Sequence, residues 1–210
     1  MIRILIADDH AIVRHGLKQI IEESGEMRVV AEAGSGSEAL RKIREIACDV
    51  VVLDISMPDM SGIDVLKQIH AERPQLPLLI LSIYPEDQYA MRLIKAGAAG
   101  YMTKESAPAE VVRALLRVAG GKKYISPAVA EILANDLGTD EEKLPHQMLS
   151  DREYQIFLLL ASAKTVSEIA DDLALSVKTI STYRSRVLEK MHLNNNAELM
   201  RYAIDHHLAQ

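Results

Sequence analysis

Three aspartates have types and positions that could do chemistry together. Asp8 and Asp9 follow the apolar run 2-IRILIA-7, and Asp54 follows 50-VVVL-53. A carboxylate placed directly after a buried strand sits at the open edge of a sheet. Three such carboxylates with open geometry suit a hard cation such as Mg2+, which prefers oxygen ligands. Two more polar residues end apolar runs in the same way, Ser82 after 78-LLIL-81 and Lys104 after 100-GYMT-103. A carboxylate nucleophile, a cation, a hydroxyl and an ammonium are the parts needed for attack on a phosphoryl group. The cation and Lys104 would neutralise the transferring oxygens, and Asp54 would carry the phosphoryl as an acyl phosphate. Each residue alone has a blander reading, because an aspartate after a strand often caps the next helix and a lone lysine often ends in solvent. Together, at the ends of four strands, they point to one site.

The elements that must position these residues are legible from apolar patterning. Strand candidates are Arg3–Ala7, Val29–Ala33, Val50–Asp54, Leu78–Ser82 and Gly100–Lys104, with helical patterns near 11–24, 37–47, 62–72, 86–96 and 108–119 between and after them. Continuous apolar strands separated by helix-length spacers predict a parallel sheet covered on both faces. Five βα units predict a doubly wound α/β domain over residues 1–120, with its ligand site beyond the carboxyl ends of the strands. In that frame Pro58 and Gly62 shape the loop that follows Asp54.

After Gly120-Gly121 the strand signal stops. Residues 121–148 read as a linker with one helix, opened by Ser126-Pro127 and running through Leu137, followed by the acidic stretch 138-GTDEE-142. That stretch could clamp a basic helix, although charged linkers are usually solvated. Residues 149–210 read as four short helices. Ser150 to Glu153 and Thr165 to Glu168 are capping boxes, Ser176 is an N-cap, and a last helix spans about Asn196 to His207. In 165-TVSEIADDLALSVKTISTYRSRVLEKM-191 a helix, a turn and a longer helix follow one another. On the longer one Val177, Ile180, Val187, Leu188 and Met191 share a face. Four basic residues against one acidic give 178–190 a local charge of +3, and such a pair describes a helix-turn-helix able to enter a major groove.

Residues 1–120 resemble response-regulator receiver domains, through Asp8-Asp9, 54-DISMPDMSG-62, Ser82 and Lys104 within 100-GYMTK-104. The resemblance implies a flavodoxin-like fold and phosphorylation of Asp54 by a sensor histidine kinase. It further implies Mg2+ held by Asp9, Asp54 and the Ser56 carbonyl, with Asp8 acting through water, and Tyr101 as the aromatic whose rotamer reports the switch. Residues 149–208, from 149-LSDRE-153 to 197-AELMRYAIDHHL-208, resemble the LuxR-type DNA-binding domain, so the whole chain looks like a NarL/FixJ-type regulator. Carried over, Ser181, Thr182 and Ser185 fall where base edges are contacted. Lys178, Thr179, Tyr183, Arg186 and Lys190 fall where phosphates are, and Arg184 lies near the buried edge. The chain departs from the family at Ala163, where a turn glycine is common, and at Ser181 and Tyr183, where lysine and histidine are common.

The same residues weigh against other classes. A phosphatase with a strand-terminal aspartate nucleophile needs a second aspartate two positions on, where Ser56 stands, and there is no Walker loop for ATP. The expected chemistry is self-phosphorylation and self-dephosphorylation only, not turnover of a metabolite. His10 reads as a helix-start surface histidine, and Cys48 as a buried structural thiol. The 210 residues carry a net charge of −6 and a pI near 5.7, which argues against wholesale coating of nucleic acid but not against a local basic face. No apolar run approaches the roughly 18 residues of a membrane span, so a cytoplasmic DNA-binding regulator, homodimeric when active, is expected. The last helix offers Leu199, Tyr202, Ala203 and Ile204 either to a dimer or to its own core. An alternative from another class is a regulator whose receiver is a protein-interaction platform that works without phosphorylation.

Overall fold

The computed structural model of the chain describes residues 1–57, 59–106, 108–137, 144–206 and 208. Pro58, the acidic stretch with Asp140, Glu141 and Glu142, and His207 at the expected end of the last helix lie outside the described residues. The chain divides into two compact units, residues 1–138 and 139–210.

The first unit alternates β1 (Ile2–Ala7), α1 (Ala11–Glu23), β2 (Met27–Ala33), α2 (Gly36–Glu45), β3 (Val50–Leu53), α3 (Gly62–Glu72), β4 (Leu78–Ser82), α4 (Glu86–Lys95), β5 (Gly100–Thr103) and α5 (Pro108–Ala119). The strands form one parallel sheet in the order β2-β1-β3-β4-β5. The expected strands and helices are all present, within two residues at nearly every end. The apolar runs are continuous because both faces are covered: every residue of β3 and β4 is buried. The order reverses between β1 and β3, so the chain leaves those two strands in opposite directions and opens a crevice beyond their carboxyl ends. Ala7 pairs with Leu53 at that end, which sets Asp8 beside Asp54.

Asp59 pins the loop after β3. Its carboxylate accepts hydrogen bonds from the Gly36 amide at 2.8 Å and from the amide and hydroxyl of Ser37 at 2.9 and 2.6 Å, at the N-terminus of α2. Partial burial works against the ionised form, but these donors and the Met60 amide outweigh it and hold the Asp59 pKa at about 2.

The helix expected in the 121–148 linker is present as α6 (Pro127–Leu137), and it groups with the first unit. It packs on α4. The Ser126 hydroxyl donates to Glu86 at 2.6 Å and accepts from the Val129 amide at 3.2 Å, and Val129 is buried. A contact with α4 is invisible in a one-dimensional pattern, which is why this stretch reads as linker.

The second unit holds a 3-10 turn (Pro145–Met148), then α7 (Asp151–Ala161), α8 (Val166–Asp172), α9 (Val177–Lys190) and α10 (Asn196–Asp205). Both capping boxes are formed, with Ser150 and Glu153 on α7 and Thr165 and Glu168 on α8, and Ser176 caps α9. Phe157, Ile169, Ile180, Val187, Leu199 and Ala203 are buried together with the inner face of α7. Val177, expected on that apolar face, is 50% exposed, because as the first helical residue it projects beyond the core. On α10 the expected apolar face is split: Leu199 and Ala203 are buried, while Ile204 is 57% exposed.

Three helices of this unit end in the same six-residue reversal without glycine. After α7 the Lys164 amide reaches the Leu159 carbonyl and the Ala163 amide that of Leu160, and Ala174 and His192 repeat the pattern after α8 and α9. Ala163, Ala174 and His192 sit at φ of 63°, 49° and 55°, in the left-handed region. An L side chain there costs roughly 1–2 kcal/mol that glycine avoids.

Two outcomes follow from these contacts. Ala163→Gly should stabilise the helical unit by about 1 kcal/mol, read by calorimetry of the full chain as a transition moved up by a few degrees. For Asp59 the folded pKa lies below the unfolded one, so its contribution is present above about pH 4 and is lost as pH falls toward its folded value of about 2. Urea unfolding of Asp59→Asn should therefore show lower stability than the parent at neutral pH, with the gap closing in acid.

Candidate functional site

The carboxyl ends of β1, β3, β4 and β5 place the five expected residues around one pocket. Asp54 enters directly from β3, its amide bonded to the Ala7 carbonyl at 2.8 Å, and the Lys104 amide is bonded to the Ser82 carbonyl at 2.7 Å. Lys104 Nζ lies 2.6 Å from Asp8 Oδ2 and 2.7 Å from Asp54 Oδ2. Asp8 and Asp54 are both buried and Lys104 nearly so. The remaining oxygens are held too: Asp54 Oδ1 accepts from the Ser56 amide at 3.0 Å, and Asp8 Oδ1 from the His10 amide at 2.8 Å.

Burial sets the electrostatics. It works against the charged lysine, but Asp54 and Asp8 outweigh it and keep the Lys104 pKa above its ordinary value. Burial pushes the Asp54 carboxyl up, with Lys104 pulling it back, so the acid holds its proton more readily than a free aspartate. A buried ion pair is retained only where its geometry is close and its other lone pairs are bonded, and both conditions hold for Lys104.

Asp9 is different. Its Oδ1 is shielded from solvent without an aligned hydrogen-bond donor. A carboxylate oxygen placed in this way, with the His10 ring nitrogen 2.6 Å from it and two other carboxylates beside it, fits a cation. The atoms that Asp8, Asp9, His10 and Asp54 can offer all lie within 4.8 Å of one another. His10 is the exposed histidine at the start of α1 that the sequence predicts, and its ring nitrogen also faces this rim.

Ser82 is fully buried. Its Oγ accepts the Tyr84 amide at 3.1 Å, and the Tyr84 carbonyl accepts the Tyr101 hydroxyl at 2.8 Å. Tyr101 is buried, and burial holds its phenol protonated well above the ordinary range. One residue, Tyr84, thus joins Ser82 to Tyr101 through its backbone, and nothing in the spacing of the sequence marks it.

Gly62 explains the loop after Asp54. A Cβ at this position would stand 2.1 Å from the Asp54 carbonyl oxygen and 2.6 Å from Ile55 Cα, and the Gly62 amide donates to the Ile55 carbonyl. The start of α3, capped by the Ser61 side chain, presses directly on the backbone that presents Asp54.

On α9 the outward face carries Lys178, Ser181, Thr182, Ser185 and Arg186, all exposed, with Thr179 and Tyr183 half-buried at its flank. The Thr182 and Ser185 hydroxyls donate to the carbonyls of Lys178 and Ser181, which leaves their oxygens outward as acceptors. The Arg186 guanidinium lies 5.9 Å from the Tyr183 ring centre. Two basic residues are committed inside the unit. Lys190 Nζ pairs at 2.7 Å with the buried Glu153, and Arg184 Nε donates at 2.6 Å to Asn196 Oδ1.

Comparison with known proteins supplies an independent line. Residues 4–116 match the response regulator receiver domain, and residues 147–203 match the bacterial regulatory proteins of the luxR family. Response regulator GacA of Pseudomonas viridiflava is 39% identical over 98% of this chain and 97% of its own length. Response regulator UvrY of Escherichia coli K12 is 36% identical over 99% and 96%. Among solved structures, RcsB of Salmonella enterica serovar Typhimurium, bound to promoter rprA in the presence of phosphomimetic BeF3-, aligns with a TM-score of 0.67. That alignment has 26% identity and covers 96% of this chain and 97% of that one.

The contact at Gly62 is directly testable. Gly62→Ala should cost about 1–3 kcal/mol of stability through forced overpacking, against about 1 kcal/mol for Ser61→Ala, which removes only a cap. Urea midpoints of the two variants would separate these effects, and equal losses would refute the steric account.

Proposed function

The chain belongs to the two-component response regulators, a receiver joined to a LuxR-type DNA-binding domain that controls transcription, and on that premise we propose that Asp54 receives the phosphoryl group. The observation that carries this reading is the buried Lys104 bridging Asp8 and Asp54 at the strand ends. A sensor histidine kinase is the donor. An Asp54 oxygen attacks phosphorus, the P–N bond of the kinase phosphohistidine breaks, and its electron pair stays on the imidazole nitrogen, which takes up a proton. Asp9 and Asp54 would hold Mg2+ together with the Ser56 carbonyl, and the cation supplies charge neutralisation for the phosphoryl oxygens. Lys104 gives up Asp54 Oδ2 and turns its ammonium to a phosphoryl oxygen. Asp8 keeps the other side of Lys104 fixed while this happens.

Adding close to two negative charges in so confined a place is enough to bias a bistable element. Ser82 follows the phosphoryl group with its hydroxyl and thereby releases the Tyr84 amide. The Tyr84 carbonyl then loosens its hold on Tyr101, so a change at the phosphate moves a buried aromatic ring. The receiver catalyses its own phosphorylation and dephosphorylation, and its product is a conformational state.

The output is α9 in a major groove. Ser181, Thr182 and Ser185 offer acceptors and small side chains to base edges, while Lys178, Thr179, Tyr183 and Arg186 reach phosphates. Lys190 must leave Glu153 before it can do so, and therefore contributes less than the other four. A single helix-turn-helix makes a small interface, so the active form is a homodimer on paired half-sites. Among the described residues no helix is long and apolar enough to cross a membrane, which supports a cytoplasmic regulator.

Binding of the full chain to DNA from its own promoter tests this reading. Beryllofluoride with Mg2+ should tighten binding by about tenfold or more, some 1.4 kcal/mol, and Asp54→Ala should bind equally with and without them. Equal binding by the parent in both conditions would sink the phosphoryl switch and leave a receiver that serves as a protein-interaction platform.

A further inference from the structure

His10 stands where a metal ligand would stand. It is the N-cap position of α1, yet its side chain makes no cap hydrogen bond to the helix. Instead Nδ1 faces the carboxylates, 2.6 Å from Asp9 Oδ1 and 3.3 Å from Asp8 Oδ1. Two ligands of one octahedral cation, each a little over 2 Å from it, stand about 3 Å apart. The two spacings from Nδ1 bracket that edge length. The ring is otherwise open to solvent, with 60% of the side chain exposed, so its orientation is set by its contacts with these carboxylates and not by packing. Asp9 Oδ1, shielded and without an aligned donor, lies in the same concavity. Lys104 occupies the far side, on the other oxygen of Asp8 and on Asp54. Carboxylates, an imidazole nitrogen and open coordination positions therefore meet on one side of the pocket, and the fixed ammonium closes the other.

Mg2+ takes oxygen and gains little from imidazole, whereas first-row transition-metal dications accept an imidazole nitrogen, Mn2+ the least of them and Ni2+ and Zn2+ more readily. We propose that His10 is a metal ligand that tunes this site toward a first-row transition-metal dication over Mg2+. The inference rests on the cation reading of the site given above and adds to it the choice of cation. The side chain does this without any role in phosphoryl transfer, which the carboxylates and Lys104 carry. A neutral imidazole coordinates through Nδ1 while Nε2 keeps its proton and faces water.

Calorimetric titration of the full chain with Mn2+ and, separately, with Mg2+ provides the test, using His10→Ala and Asp9→Asn alongside the parent. Loss of the ring exposes no core and leaves the His10 amide bonded to Asp8, so the variant should fold. Its weaker screening of the carboxylates acts on both cations and cancels in their ratio. The expected result is a severalfold fall in the preference for Mn2+ over Mg2+ in His10→Ala, and loss of both cations in Asp9→Asn. Electron spin-echo spectroscopy of bound Mn2+ should show coupling to a nitrogen nucleus in the parent and none in His10→Ala. Binding of both cations with a ratio indifferent to His10, or without nitrogen coupling in the parent, overturns the imidazole ligand alone. Binding of neither cation to the parent overturns the cation reading together with it.

Discussion

Two carboxylates in the interior of a protein need a positive charge between them, and Lys104 is that charge. Asp8 and Asp54 leave adjacent strands at the same level and are both buried. Without the ammonium they would repel across a few ångströms in a medium that screens poorly. Lys104 reaches them only because β5 lies two places from β3 in the sheet and ends at the level of Ser82. The strand order, the crevice and the packing of α3 under the Asp54 loop all serve to bring three formal charges to one point. A sheet of another order would leave these residues at the same sequence positions with nothing between them.

This arrangement is stable at rest and easily rewritten. Every side-chain oxygen of Asp8 and Asp54 has a partner, and each partner is held by a few contacts that another anion could replace. On the proposed reading Lys104 exchanges one anion for another and Ser82 exchanges the Tyr84 amide for a phosphoryl oxygen. Tyr84, with its amide on Ser82 and its carbonyl on Tyr101, would convert that exchange into a movement of a buried ring. Beyond it, Glu86 opens α4 and holds Ser126 at the head of α6, so the switch region and the segment leading out of the first unit share one helix end.

In the second unit charge is distributed more sparingly than the sequence suggests. Of the basic residues of α9, Lys190 and Arg184 are held by partners within the unit, and Lys178 and Arg186 stay on the outward face. On the proposed reading affinity for nucleic acid would lean on few phosphate contacts and on hydroxyl acceptors, which predisposes binding to a modest dependence on salt. The left-handed turns after α7, α8 and α9 carry alanine or histidine where glycine would be unstrained, so the unit is less stable than its packing allows.

The α/β alternation, the five strand ends, the capping boxes and the helix-turn-helix were legible in the sequence because each depends on local periodicity or on residues three or four apart. The same local logic identified Asp8, Asp9, Asp54, Ser82 and Lys104 as one set, since all five end buried strands. Only the tertiary structure decided which of them touch. That Lys104 bridges Asp8 as well as Asp54, and that Gly62 is pressed against the Asp54 carbonyl, are distances that only the folded chain fixes. The same holds for α6, which reads as linker until α4 is beside it, for Lys190, whose charge is claimed by Glu153, and for His10, whose ring turns to the carboxylates and not to its own helix. Periodicity records which face of an element is buried. It carries no information about what that face meets, and at this site what each group meets sets its charge, its partner and its chemistry.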